Sequence, residues 1–92
     1  MKTMLVAVLA AGVAIGVAPP AAAAENDYLN QLAPRLTFLS NEQLLTEGYK
    51  VCRYVSVGRP TADAIPMVMK DLQTSVSAAL DIISAAVQQL DC

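Results

Sequence analysis

The chain has 92 residues, 55% of them hydrophobic, with six basic and eight acidic side chains and a formal net charge of −2. That length suits one domain at most. The mildly acidic balance argues against nucleic acid and anionic lipid surfaces as electrostatic partners, and the absence of histidine removes the usual Ser-His and Cys-His nucleophile pairs.

The first segment reads as a secretory signal peptide over residues 1–24. Lys2 gives a minimal positive start, Met4 to Ala18 is an apolar run, Pro19-Pro20 break it, and Ala22-Ala23-Ala24 supply the small residues that a signal peptidase reads. An uncleaved anchor is the competing reading. The run is shorter than the ~20 residues that cross a bilayer comfortably, so no stable membrane span is expected after cleavage. No cysteine follows closely enough for lipid attachment. The exported domain is then 25–92.

Its first predicted helix is capped at Asn26 or Asp27, carries Tyr28, Leu29 and Leu32, and ends or kinks at Pro34. Leu36, Phe38 and Leu39 in the following link are expected core contacts. The next helix, Ser40 to Val57, is the predicted centre of the domain. Ser40 and Gln43 match a capping box, and Leu39 and Leu44 a hydrophobic staple. Leu44, Gly48, Val51, Cys52 and Val55 share one face at helical spacing. Gly48, mid-stripe, costs on the order of 1 kcal/mol relative to Ala, which points to another helix crossing there rather than to a ligand. Gly58 supplies the left-handed stop, and Pro60 follows it. Glu47 and Lys50 read as a surface ion pair. Lys50, Arg53 and Arg59 gather at the helix C-terminus, where positive charge complements the dipole.

Asp63 is the expected cap of the third helix, with Pro66 falling harmlessly in its first turn. Ile65, Val68, Met69 and Leu72 form its inner face, and Met67 points away. Ser75 or Ser77 caps the last helix, whose stripe reads Val76, Ala79, Leu80, Ile83, Ala86, Val87 and Leu90. No strand pattern of useful length appears.

Cys52 and Cys92 are the only cysteines, and in an exported chain they admit one pairing. Closing that ~40-residue loop stabilises the fold by roughly 4 kcal/mol in the chain-entropy model. As ideal helix, Cys92 points about 180° from the last stripe, so the bond requires the helix to unwind over Gln89 to Asp91. The bond would also bring the C-terminal carboxylate near Arg53. No metal centre is expected without histidine and with only two cysteines. The acidic residues are scattered, no phosphate loop exists, and no catalytic residue or cofactor is assigned.

The Glu47-Gly48-x-x-x-Cys52 motif, then Gly58, a helix and an Ala-rich, Ser-started helix closing on Cys92, resembles a family of small mycobacterial secreted proteins of unknown function. Asp27-Tyr28-Leu29-x-x-Leu32 looks like that family's first helix. The chain departs from the family in lacking a Pro after its last Cys and a Gly in the Pro34 to Phe38 link. The resemblance implies a signal peptide, an all-helical domain with a single Cys pair, and export to the envelope or medium; it carries no catalytic or ligand residues.

The sequence thus predicts an all-α bundle of about four short helices held by one disulfide. Its expected role is a non-enzymatic binding or structural module of the cell envelope or extracellular space. The partner would be a protein meeting a surface around Tyr49, Tyr54 and Met67. The alternative is a carrier of a small apolar ligand, such as an envelope lipid fragment, in a cavity lined by Val51, Val55, Val68, Met69, Leu80 and Ile83.

Overall fold

A computed structural model describes residues 20–92. Most of the expected signal peptide, 1–24, therefore lies outside the described residues. The described chain forms helices α1 (Pro20–Leu32), α2 (Asn41–Ser56), α3 (Ala64–Leu72) and α4 (Val76–Gln89), with a 3₁₀ turn at Thr61–Asp63 leading into α3. The protein is all-α, and the Cys52–Cys92 disulfide joins α2 to the C-terminal end, with Cα atoms 5.0 Å apart.

α1 begins earlier than predicted. Ala21 to Ala24 are strong helix formers, so Asn26 and Asp27 lie inside the helix and in water rather than capping it. Tyr28 and Leu32, four residues apart, are its fully buried pair. The helix stops before Pro34, and the chain turns through the Arg35 N–H to Leu32 carbonyl bond (2.9 Å). Leu36 enters the core. Phe38, predicted to do the same, is 62% exposed. The tight turn that bonds the Leu39 N–H to the Leu36 carbonyl (3.1 Å) leaves Leu36 and Leu39 to pack and Phe38 outside.

α2 starts as its sequence dictates. The Ser40 hydroxyl accepts from the Gln43 N–H (3.0 Å), and the Gln43 side-chain oxygen accepts from the Ser40 N–H (2.9 Å). Two orphan donors of the first turn are thereby satisfied. The helix ends at Ser56, and Gly58 takes φ +96°, a conformation that favours glycine.

Two later predictions change in detail. Asp63 makes no side-chain cap. The 3₁₀ turn already holds Asp63 in right-handed helical conformation, so the chain enters α3 without an extended capping residue. Met67 is half-buried against the core rather than exposed, because α3 is a short helix packed against both α2 and α4. Gln73 ends α3 with φ +52°.

α4 is capped by Ser75, whose hydroxyl accepts from the Ala78 N–H (3.1 Å). It touches α1, α2 and α3, sharing the central place with α2, which touches the other three helices as well. Its predicted stripe is correspondingly displaced. Ala79, Ile83, Ala86 and Leu90 are buried as expected, but Ala78, Ile82 and Ala85 join them while Val76, Leu80 and Val87 remain exposed. Four of the seven buried residues on this segment are alanines, which lets neighbouring backbones come close on several sides.

The predicted unwinding at the end occurs. α4 stops at Gln89, Leu90 caps it, and Asp91 turns left-handed at φ +59°. That reversal brings Cys92 back onto Cys52. Leu90 meanwhile fills the space beside Gly48. A Cβ at position 48 would stand 2.7 Å from the Leu90 Cδ1 and 2.7 Å from the Tyr28 ring. The Tyr28 hydroxyl donates to the Leu44 carbonyl, one turn before Gly48. Gly48 is thus the crossing point of α1, α2 and the C-terminal segment, as its position in the stripe suggested.

Two outcomes follow for stability. Gly48→Ala gains about 1 kcal/mol of helix propensity but crowds a packed site at a cost of about 1–3 kcal/mol. Urea unfolding is expected to show a net loss and a lowered midpoint. Reducing the disulfide, which spans a sequence separation of 40, is expected to cost about 4 kcal/mol, read as a lower melting temperature in the presence of reductant.

Candidate functional site

The residues singled out from the sequence are placed apart. Tyr49 on α2 is half-buried and its hydroxyl donates to the Glu25 carboxylate on α1 (2.6 Å). That hydrogen bond, with lesser help from burial and the Glu25 charge, holds the Tyr49 phenol above its ordinary pKa. Tyr49 also lines a hollow of about 450 Å³ with Ala21, Ala24, Leu90 and Asp91. Tyr54, a turn and a half further along α2, lies under the Arg59 guanidinium, 4.7 Å from the ring centroid. Met67 sits on α3, half-buried. Their polar and ring contacts go to different neighbours.

The basic residues at the end of α2 divide in the same way. Arg59 stacks on Tyr54, Lys50 reaches across to Asp71 on α3 (2.6 Å), and Arg53 stays in water. Among the described residues, no ion pair joins Arg53 to the C-terminal carboxylate. A second salt bridge, Arg35 to Asp81 (3.1 Å), ties the α1–α2 link to α4; its exposed arginine limits its worth.

The six residues proposed to line a carrier cavity are also divided. Val51 and Val68 are in the closed core, and Val55 and Met69 are half-buried. Leu80 and Ile83 line an open groove of about 300 Å³ on the outer edge of α4, with Thr61, Ser84, Val87 and Gln88. This groove follows from the rotation of α4. Leu80 (47% exposed) and Val87 (37% exposed) lie on the edge that the other helices do not cover. Helical spacing marked these positions as apolar but could not say which edge would be left uncovered.

A second feature was misread from the sequence. Glu47 is not half of a surface pair with Lys50. It is 4% exposed, and its Oε2 has no hydrogen-bond partner. Lys50 turns instead to Asp71, which holds the Asp71 carboxyl below its ordinary range and the lysine above its own. Glu47, left beside a paired carboxylate in a poorly solvated place, has its pKa pushed up to about 7. Burial is the main cause, and a hydrogen bond with Asp71 and the Asp71 charge add to it, against a lowering by Lys50. The Tyr28 phenol is also raised, first by burial and then by the Glu47 charge. Around Glu47 lies a hollow of about 340 Å³ between α2 and α3, lined by Glu42, Gln43, Thr46, Glu47, Asp71 and Leu72. Only the tertiary approach of α3 creates this site, and no feature of the sequence around Glu47 signals it.

Among the described residues, no three His, Cys, Asp or Glu side chains stand close enough together to hold a metal ion. No helix among them is long and apolar enough to cross a membrane. No family model matches the chain, and no curated protein or solved structure matches it either.

The Glu47 environment predicts a pH dependence. An unfolded Glu47 loses its proton near its ordinary value of 4.5, whereas the folded one keeps it to about 7. Between those values the folded state binds more protons, so its stability falls as pH rises and levels off above about 7. The loss is about 1–3 kcal/mol. Asp71 acts in a separate window: its lowered pKa contributes stability that disappears as pH falls through the acid range. Denaturant melts from pH 4.5 to 8 are expected to show the fall in wild type and a flattened profile in Glu47→Gln.

Proposed function

We propose that the protein is an exported, disulfide-tied, non-enzymatic binding module of the cell envelope or extracellular space. The observation that carries this reading is the uncovered apolar edge of α4, where Leu80 and Val87 stand in water beside an open groove. Exposed apolar surface next to polar residues is a feature of sites that meet another molecule. Thr61, Ser84 and Gln88 give this groove its polar rim. The Cys52–Cys92 bond supports the assignment to an oxidising compartment, where such bonds form and persist. The N-terminal sequence supports export. The resemblance to the small mycobacterial secreted proteins extends the proposal to that type of envelope.

The groove replaces the Tyr49, Tyr54 and Met67 surface as the favoured contact, since those three side chains are already engaged or half-buried. The carrier alternative draws less support, because its six lining residues are split between closed core, half-buried positions and open groove.

Mass spectrometry of protein secreted into culture medium is expected to give a chain starting near Glu25 and two mass units lighter than the dithiol, a difference about equal to two hydrogens; an intact Met1 rules out the proposed export route. A photo-crosslinking residue at Gln88 is expected to capture a partner in that setting, and Leu80→Glu to abolish the adduct while leaving the fold intact. An adduct indifferent to Leu80→Glu counts against the groove.

A further inference from the structure

We propose that the hollow between α2 and α3 around Glu47 binds a primary alkylammonium group, the cation carried by aliphatic amines and lysine side chains. The inference concerns a face other than the α4 groove and does not rest on the function assigned to that groove.

Three observations point to this ligand class. Glu47 is 4% exposed, lines the hollow, and has an oxygen, Oε2, that no donor in the described chain reaches. Buried acceptors are normally satisfied, and one that is not marks a place where a partner is missing. The chain itself supplies a precedent next door: the Lys50 ammonium sits on Asp71 at 2.6 Å, at the other side of the same carboxyl cluster. That ammonium is committed to Asp71, so Glu47, hydrogen-bonded to Asp71 while it keeps its proton, has no cationic donor once it ionises.

The remaining walls suit an amine on an alkyl stem. The Thr46 hydroxyl and the exposed Glu42 carboxylate are further acceptors, and Leu72 offers an apolar wall for methylene groups. The Gln43 side-chain oxygen is already taken by the Ser40 N–H. An ammonium has three donors and suits acceptors spread around it. A bare metal ion needs several hard oxygens converging at short distance, and the described acidic residues do not converge in that way.

Binding would couple to protonation. The charged and titratable groups around Glu47 are Glu42 and Lys50 on α2, Asp71 on α3 and Tyr28 on α1, with Lys70 acting on Asp71. Glu47 keeps its proton up to about pH 7, and only the ionised form offers the ammonium a full charge-assisted bond. Affinity should therefore be about tenfold weaker at pH 6 than at pH 8, in proportion to the ionised fraction.

The test is an NMR titration of the oxidised protein with n-butylammonium and with Nα-acetyl-lysine N-methylamide. n-Butanol and calcium ion serve as controls. Saturable shifts confined to the amides of Glu42 to Glu47 and Lys70 to Leu72 are expected, with the tenfold pH effect and at least a tenfold loss in Glu47→Gln. Thr46→Val, which leaves the buried carboxyl untouched, is expected to weaken binding severalfold, and Asp63→Asn not at all. Binding of the blocked lysine alone assigns the site to a protein partner, and of butylammonium alone to a small amine; both support the proposal. It is overturned if neither cation saturates, if n-butanol or calcium reproduces the shifts, or if affinity is the same at both pH values or in Glu47→Gln.

Discussion

Position 48 has no side chain, and three parts of the molecule use the space. The Tyr28 ring from α1 and the Leu90 side chain from the C-terminal end both come within 2.7 Å of where a Cβ would be. The contact is more than steric. With the ring this close, the Tyr28 hydroxyl reaches the Leu44 carbonyl, so α1 is hydrogen-bonded to the backbone of α2 in a buried place. With Leu90 seated on the other side, the chain is held where Asp91 can reverse it and deliver Cys92 to Cys52. The covalent tie therefore closes an arrangement that packing has already set. A glycine that weakens the helix in isolation is what allows the helix to be crossed.

The remainder of the packing is organised from α4. Its buried face is rich in alanine, and Ala78, Ala79, Ala85 and Ala86 let α1, α2 and α3 all approach the same short helix. Only three large aliphatic side chains on this segment, Ile82, Ile83 and Leu90, are buried with them. In a domain this small, where a single core is marginal, the arrangement gains burial by close backbone approach rather than by bulk. Its cost is an edge of α4 left without a neighbour, and the open groove lies there.

The parts of this fold that depend on neighbouring residues in sequence were legible. The Ser40 and Gln43 cap, a serine cap at one of the two candidates Ser75 and Ser77, the Gly58 stop, the crossing at Gly48 and the unwinding before Cys92 all follow from local chemistry or covalent reach. The parts that depend on which helix lies opposite were not. Phe38 and Leu36 are equally apolar, and only the turn between them decides which is buried. Met67 was placed outward because its own helix offers a better face, but α2 and α4 together cover a wider arc than one face. The α4 stripe was read as a single edge, whereas contact on three sides moves the buried arc toward Ile82. Glu47 is the sharpest case: nothing near it in sequence announces that α3 will cover it and that Asp71 will claim Lys50. The candidate sites were hidden for the same reason, since one is the edge that packing leaves bare and the other is a junction that packing creates.

The burial of Tyr28 gives the molecule an optical property of its own. The chain has three tyrosines and no tryptophan, so its near-ultraviolet absorbance above the disulfide background is phenolic. Tyr28 resists ionisation because its oxygen is enclosed and lies near the Glu47 charge. Opening of the junction at Gly48 removes the burial that holds the phenol up, which makes the last portion of an alkaline spectrophotometric titration a built-in reporter of core opening, with no label required.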